Sequence, residues 1–289
     1  MPRTMVPADR FSSENIAPGV KQVRLYPGGK NGPNNEVLMP TPGGQVWSDT
    51  ILIGDQASAF QMLVPDIRLP SNQLWPLHWH DCWTVVVILE GQCLMGDWLM
   101  ARGDVFITEP SLEYGPLVIG PDGCRMFEIF ARAHLAPGGY APEYRDHPTL
   151  QTVNSVFKER SALNRRNDGR STLSLKRAVS GMLKTKLAPG AQWDLGAAND
   201  PERGVLSDVR LSAGQELAAH ARPEWRALII LDGGARVGEH KVSIDDVLMI
   251  EPHSRLPDLI ADGDGVQMLE CARTAAGALR LAPTERVNP

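Results

Sequence analysis

Several things are scarce in this sequence of 289 residues, and each scarcity removes a class of function. No apolar run approaches the roughly 18 residues of a membrane-spanning helix, so no membrane partner is expected. The opening stretch MPRTMVPADRFSSENIAPG lacks the apolar core of a secretory signal, and the chain reads as cytoplasmic. Cysteine is rare. Cys82, Cys93, Cys124 and Cys271 form no CxxC pair and no short-range framework, which fits reduced thiols buried in strands. Basic charge is not in surplus: 29 Lys and Arg stand against 34 Asp and Glu, a net charge of −5. No general positive field therefore favours nucleic acid. No P-loop, dinucleotide fingerprint, G-x-S-x-G elbow or HExxH is present. Helical periodicity is also sparse and is confined to LQTVNSVFKERSALNRR in the middle of the chain.

What is present is a set of short apolar runs punctuated by Gly (27) and Pro (23). TVVVILEG, DVFITEP, RMFEIFAR, RALIILDGG, DVLMIEP and VQMLECAR each have strand length, with turn residues at their ends. The composition is mostly β.

These runs repeat. With a shift of 142 residues the two halves register without a gap. VPDIRLP from Val64 falls on LSDVRLS from Leu206, and WTVVVILEG from Trp83 falls on WRALIILDG from Trp225. GDVFITEP from Gly103 falls on DDVLMIEP from Asp245, and DGCRMFEI from Asp122 falls on DGVQMLEC from Asp264. Asp66/Asp208, Arg68/Arg210, His78/His220, Trp83/Trp225, Gly91/Gly233, Glu109/Glu251 and Glu128/Glu270 are identical pairs. The period is far too long for a solenoid, so the expectation is two copies of one β-domain packed together. The first runs over 1–140, with an N-terminal arm and a core at about 45–132. The second runs over 187–289, with its core at about 187–273. Residues 141–186 form a connector with a short helix and a basic stretch (Arg165, Arg166, Arg170, Lys176, Arg177) that reads as solvated surface.

The motifs within the repeat resemble the cupin superfamily. Cupin barrels carry G-x5-HxH-x3,4-E-x6-G and then G-x5-PxG-x2-H. The first half offers HWH at 78–80, Gly91, GDV at 103–105 and Pro110. The second offers His220, Gly233, DDV at 245–247 and Pro252. The resemblance covers 45–132 and 187–273. It implies a bicupin: an all-β chain of two tandem double-stranded β-helix (jelly-roll) barrels, the second with a degenerate site.

Residues two apart on a strand share a face, so a strand at 78–80 would aim His78 and His80 at one point inside the barrel. That is half a coordination sphere for a divalent metal. Fe(II) is the first choice, with Mn, Ni, Zn or Cu as alternatives. The pattern departs from the family at the other two ligands. Thr84 or Val85 stands where the Glu belongs, and Tyr114, flanked by Glu113, stands where the third His belongs. Glu113 and Tyr114 are then the candidate ligands or acid/base groups, and Glu128, shared with Glu270, reads as structural. A metal-free pocket with the histidines touching ligand remains open, as does plain core packing.

In the second half His80 becomes Arg222, Thr84 becomes Arg226 and Tyr114 becomes Leu256. Arginine does not lose a proton to coordinate a cation. HARPEWR reads as an alternating strand end in which Arg222 and Glu224 pair, with a small anion pocket as the other reading. Trp75, Trp79, Trp83 and Trp98 gather near the first site; Trp79 would point outward, and Trp83, repeated as Trp225, reads as packing.

By resemblance, the expected activity is metal-dependent chemistry on a small organic substrate that chelates through adjacent oxygens, with a dioxygenase favoured and an isomerase or lyase next. The alternative is a non-catalytic ligand-binding or regulatory bicupin. Sheet edges leave a homo-oligomer open.

Overall fold

The computed structural model describes residues 12–24, 36–41, 44–54, 61–71, 74–75, 80, 82–96, 98–112, 114–115, 117–131, 182–196, 200 and 202–273. Every regular element in them is a β-strand. The expected connector helix lies outside the described residues. No helix is long and apolar enough to cross a membrane.

Two nine-stranded antiparallel sheets form, one per half. In the first, Thr84–Met95 lies between Asp104–Thr108 and Leu117–Phe130, and Gln61–Leu69 and Gly44–Gly54 continue the sheet. In the second, Trp225–Val237 lies between Asp246–Ile250 and Leu259–Arg273, with Gly204–Leu211 beyond. Each sheet curls round its own apolar interior, as a jelly roll does.

The repeat extends to backbone angles. Gly91 and Gly233 both sit at φ +68°, Gly96 and Gly238 at +58°, and Ser111 and His253 at +62°. At Gly91 a Cβ would lie 2.1 Å from the Gly123 carbonyl oxygen, and at Gly233 the same distance from that of Gly265. Only glycine tolerates such an approach in the left-handed region. Asp104 accepts the Ala101 N–H at 2.8 Å, and Asp246 accepts the Ser243 N–H at 2.8 Å, which explains the Asp of each GDV/DDV turn.

The unbroken apolar runs follow from burial on both faces. In Thr84–Met95, Val86 and Ile88 point into the first barrel, while Val85 and Val87 face a core shared by both halves. Leu228 and Ile230 likewise line the second barrel, and Ala227 and Ile229 meet the shared core. Trp83 is fully buried in that core, and its indole N–H donates to the Glu202 carbonyl at 2.6 Å. Cys271 Sγ lies 3.7 Å from Met62 Sδ across the same junction. All four cysteines are free and buried, and burial pushes the Cys271 thiol up to about 12.

Two edge strands are exchanged. Met182–Lys186 pairs with Asp104–Thr108 of the first sheet, running from Met182↔Thr108 to Lys186↔Asp104. Val20–Arg24 pairs with the equivalent Asp246–Ile250 of the second sheet, and Ser12–Ala17 covers it. Each half thus has a raw border covered by chain from outside its repeat core.

Charge also ties the halves together. Asp66, with no exposure, holds Arg68 at 3.0 Å and Arg125 at 2.9 Å. Arg125 reaches on to Glu90 in its own half and to Asp245 in the other. Burial opposes the charge on Arg125, but Asp66 and Asp245 outweigh it and raise the pKa.

Candidate functional site in the first barrel and its counterpart in the second

His78 and Glu113 lie outside the described residues, as do Trp79 and Asp81. His80 and Tyr114 are described, and they come together. The His80 backbone is fixed by its carbonyl, which accepts the Ser111 N–H at 2.7 Å; the His80 ring centroid is 5.9 Å from that of Tyr114. Phe130 meets the imidazole edge-on at 4.8 Å, and Phe106 lies 5.2 Å from Tyr114. Trp98 closes on Phe106 at 5.8 Å. Both His80 ring nitrogens and the Tyr114 phenol oxygen are shut off from solvent, within a lining that includes Met95, Met100 and Met126. These side chains make a solvent-excluded aromatic cluster around one imidazole and one phenol.

Thr84 is fully buried and donates weakly to the Cys82 carbonyl at 3.5 Å. The place of the family's Glu therefore carries a neutral hydroxyl. An interior carboxylate arrives from another strand. Glu128 pairs in register with Val86, as Glu270 pairs with Leu228. Glu270 takes both Arg222 (3.1 Å) and Arg226 (3.4 Å), the counterparts of His80 and Thr84. By that register Glu128 belongs to the same end of the first barrel. Asp104 and Glu128, with Cys124 and burial, push the Cys93 thiol well above its ordinary range; Cys124 contributes most. The Glu128/Glu270 identity was the signal for this residue.

The second barrel has no such donor set. Arg226 has no exposed surface, and its Nη1 donates to His220 Nε2 at 2.7 Å. His220 Nδ1–H donates to the Ala218 carbonyl at 2.9 Å, so the imidazole is neutral. Burial, and then the charges of Arg226 and Arg222, lower its pKa despite the Ala218 contact and Glu270. The expected Arg222–Glu224 pair does not form. Arg222 turns to Glu270, because the chain leaves the short strand His220–Ala221 before Pro223 and bends at Glu224, so alternation no longer applies.

Among the described residues no three His, Cys, Asp or Glu side chains are arranged to hold a metal ion. The described part of the first site offers one imidazole, one phenol and the register position of one carboxylate. These nitrogen and oxygen donors suit a borderline divalent cation, but they are not a complete ligand set without His78.

No protein-family model matches the chain, and no curated protein does. Solved structures do. A provisionally named dioxygenase of Nostoc punctiforme superposes with a TM-score of 0.54 at 14% identity, over 86% of this chain and 82% of that one. A mutant oxalate decarboxylase of Bacillus subtilis gives 0.52 at 13% identity, over 86% and 77%. The Ylba protein of E. coli gives 0.54 at 9% identity, over 91% and 93%. At these identities the likeness shows the fold alone. The chain has the bicupin fold, two jelly-roll barrels in one polypeptide.

Proposed function

We propose that the first barrel is a metal-assisted catalytic site for a small organic substrate that chelates through adjacent oxygens, with dioxygenase-type chemistry as the reaction class. The observation that carries the reading is the asymmetry at matched positions. Where the second barrel has Arg222 and Leu256, the first brings the His80 and Tyr114 rings to 5.9 Å within a buried aromatic cluster. His78 and His80 would hold the ion, with Glu128 supplying the carboxylate in place of Thr84. A bound Fe(II) supplies Lewis-acid polarisation of the substrate oxygens and the electrons for dioxygen chemistry. Tyr114, and Glu113 beside it in sequence, would handle a substrate proton, while Phe106 and Phe130 keep water from the reacting face. Isomerase or lyase chemistry uses the same chelate. The proposed setting is cytoplasmic, with a small molecule as partner.

Metal analysis of tag-free protein tests this. About one Fe(II) per chain after anaerobic reconstitution, lost in His78→Ala and His80→Ala, is the expected result. Less than about 0.2 metal per chain, unchanged in His78→Ala, would overturn it. The replacement of two family ligands by Thr84 and Tyr114 favours a second reading, a non-catalytic ligand-binding bicupin. It predicts substrate-class binding that survives chelators, with no oxygen uptake.

A further inference from the structure

The most deeply buried arginine among the described residues is only half paired. Arg226 is 1% exposed in its side chain. Nη1 meets His220 and Glu270, but Nε and Nη2 have no hydrogen-bond partner within the chain. These two nitrogens form one edge of the guanidinium, the fork that matches a carboxylate. Two other arginines show how this chain fills that edge. Arg125 sends Nε (3.1 Å) and Nη2 (2.9 Å) to Asp66, and Arg210 sends Nε (3.2 Å) and Nη2 (2.9 Å) to Asp208.

A second orphan lies nearby and has the opposite polarity. Glu224 is 6% exposed, its Oε2 has no partner, and no ion pair joins it to Arg226. Buried charged atoms without partners are costly and point to a guest. The charges facing this end are Arg222, Arg226, Glu224 and Glu270, with His220 neutral, and they balance. A guest that satisfies both orphans and preserves the balance carries one charge of each sign. The lining side chains here are smaller than their counterparts. Phe106, Met100, Met95, Tyr114 and Ile119 of the first barrel become Leu248, Val242, Val237, Leu256 and Ala261 in the second.

We propose that the second barrel binds a small zwitterion of the amino-acid class, its carboxylate on the Nε/Nη2 edge of Arg226 and its ammonium on Glu224. The site is separate from the first barrel and independent of metal. The test uses metal-stripped full-length protein titrated with glycine, by calorimetry. The expected result is saturable binding with Kd of about 1 mM, weakened at least about tenfold by Arg226→Lys, which keeps the charge and loses the fork, and likewise by Glu224→Gln. Acetate and methylamine, each with half the functional pair, bind at least about tenfold more weakly. No saturation by about 100 mM glycine, undiminished binding in both variants, or acetate binding as well as glycine each overturns the proposal. Should the variants fail to fold, the wild-type protein still decides. A slowly exchanging arginine Nε–H resonance that shifts on glycine addition supports the site, and no shift in any such resonance overturns it.

Discussion

The two barrels share a backbone and differ in what they enclose. At matched interior positions the first has His80, Thr84, Tyr114, Phe106 and Met100, and the second has Arg222, Arg226, Leu256, Leu248 and Val242. Glu128 and Glu270 are the same residue on the same register, and Glu270 is clasped by two guanidiniums at the positions where the first half has His80 and Thr84. Duplication kept much of what shapes the strands: the left-handed pairs Gly91/Gly233, Gly96/Gly238 and Gly123/Gly265, the Asp-capped turns and the tryptophan at the junction. The interior was free to diverge because turn geometry and pairing, and not the enclosed polar group, define the barrel. Guanidiniums in one copy and an imidazole with a phenol in the other present different chemistry to the interior.

Six substitutions would break or sharpen this contrast. The largest effect is expected at the buried cluster. Glu270→Ala leaves Arg226 uncompensated in the interior and should cost about 3–5 kcal/mol in urea unfolding, whereas Glu128→Ala should cost much less and change metal content instead. Equal costs would mean that the two carboxylates do the same work. Next, Trp83→Ala opens the shared core and should cost about 3–4 kcal/mol, more than Trp225→Ala, because Trp83 is fully buried and Trp225 is half-buried. Arg125→Gln copies the second half, where Gln267 holds Asp208 at 3.2 Å. It removes the tie to Asp245 but leaves Arg68 on Asp66, so about 1–2 kcal/mol should be lost in the same assay.

The smallest effect is in acid. The His220 pKa is lowered in the fold from its ordinary 6.5, so the unfolded chain binds the proton first. Its contribution is intact above about pH 6.5 and declines as pH falls through the lowered value. His220→Asn should flatten that part of a melting-temperature profile between about pH 7 and 5, and an unchanged slope would assign the acid sensitivity elsewhere.

Much of this architecture is legible in the sequence. The repeat gives the two barrels because glycines such as Gly91 and Gly233 are required by the same close backbone approach. The apolar strands are legible because both of their faces are buried. The exchanged borders are not legible, since pairing such as Met249↔Lys21 joins chain-distant segments and leaves no local pattern. Arg222 was misassigned to Glu224 for a related reason. Alternation is a rule within a strand, and its partner Glu270 comes from another strand, 48 residues away. Only half of the first site is legible in the described residues, where His80 and Tyr114 converge as their spacing within the two motifs implies.

The crossed borders also set a timetable for synthesis. The hairpin of 12–24 leaves the ribosome about 220 residues before the strand it must clasp, Asp246–Ile250, is made. At ordinary elongation rates that is a wait of roughly 10–40 s for an unmated ribbon. The polar residues Ser12, Ser13, Glu14 and Asn15 along its leading strand suit such a wait, since they discourage pairing with strangers before the rightful neighbour emerges.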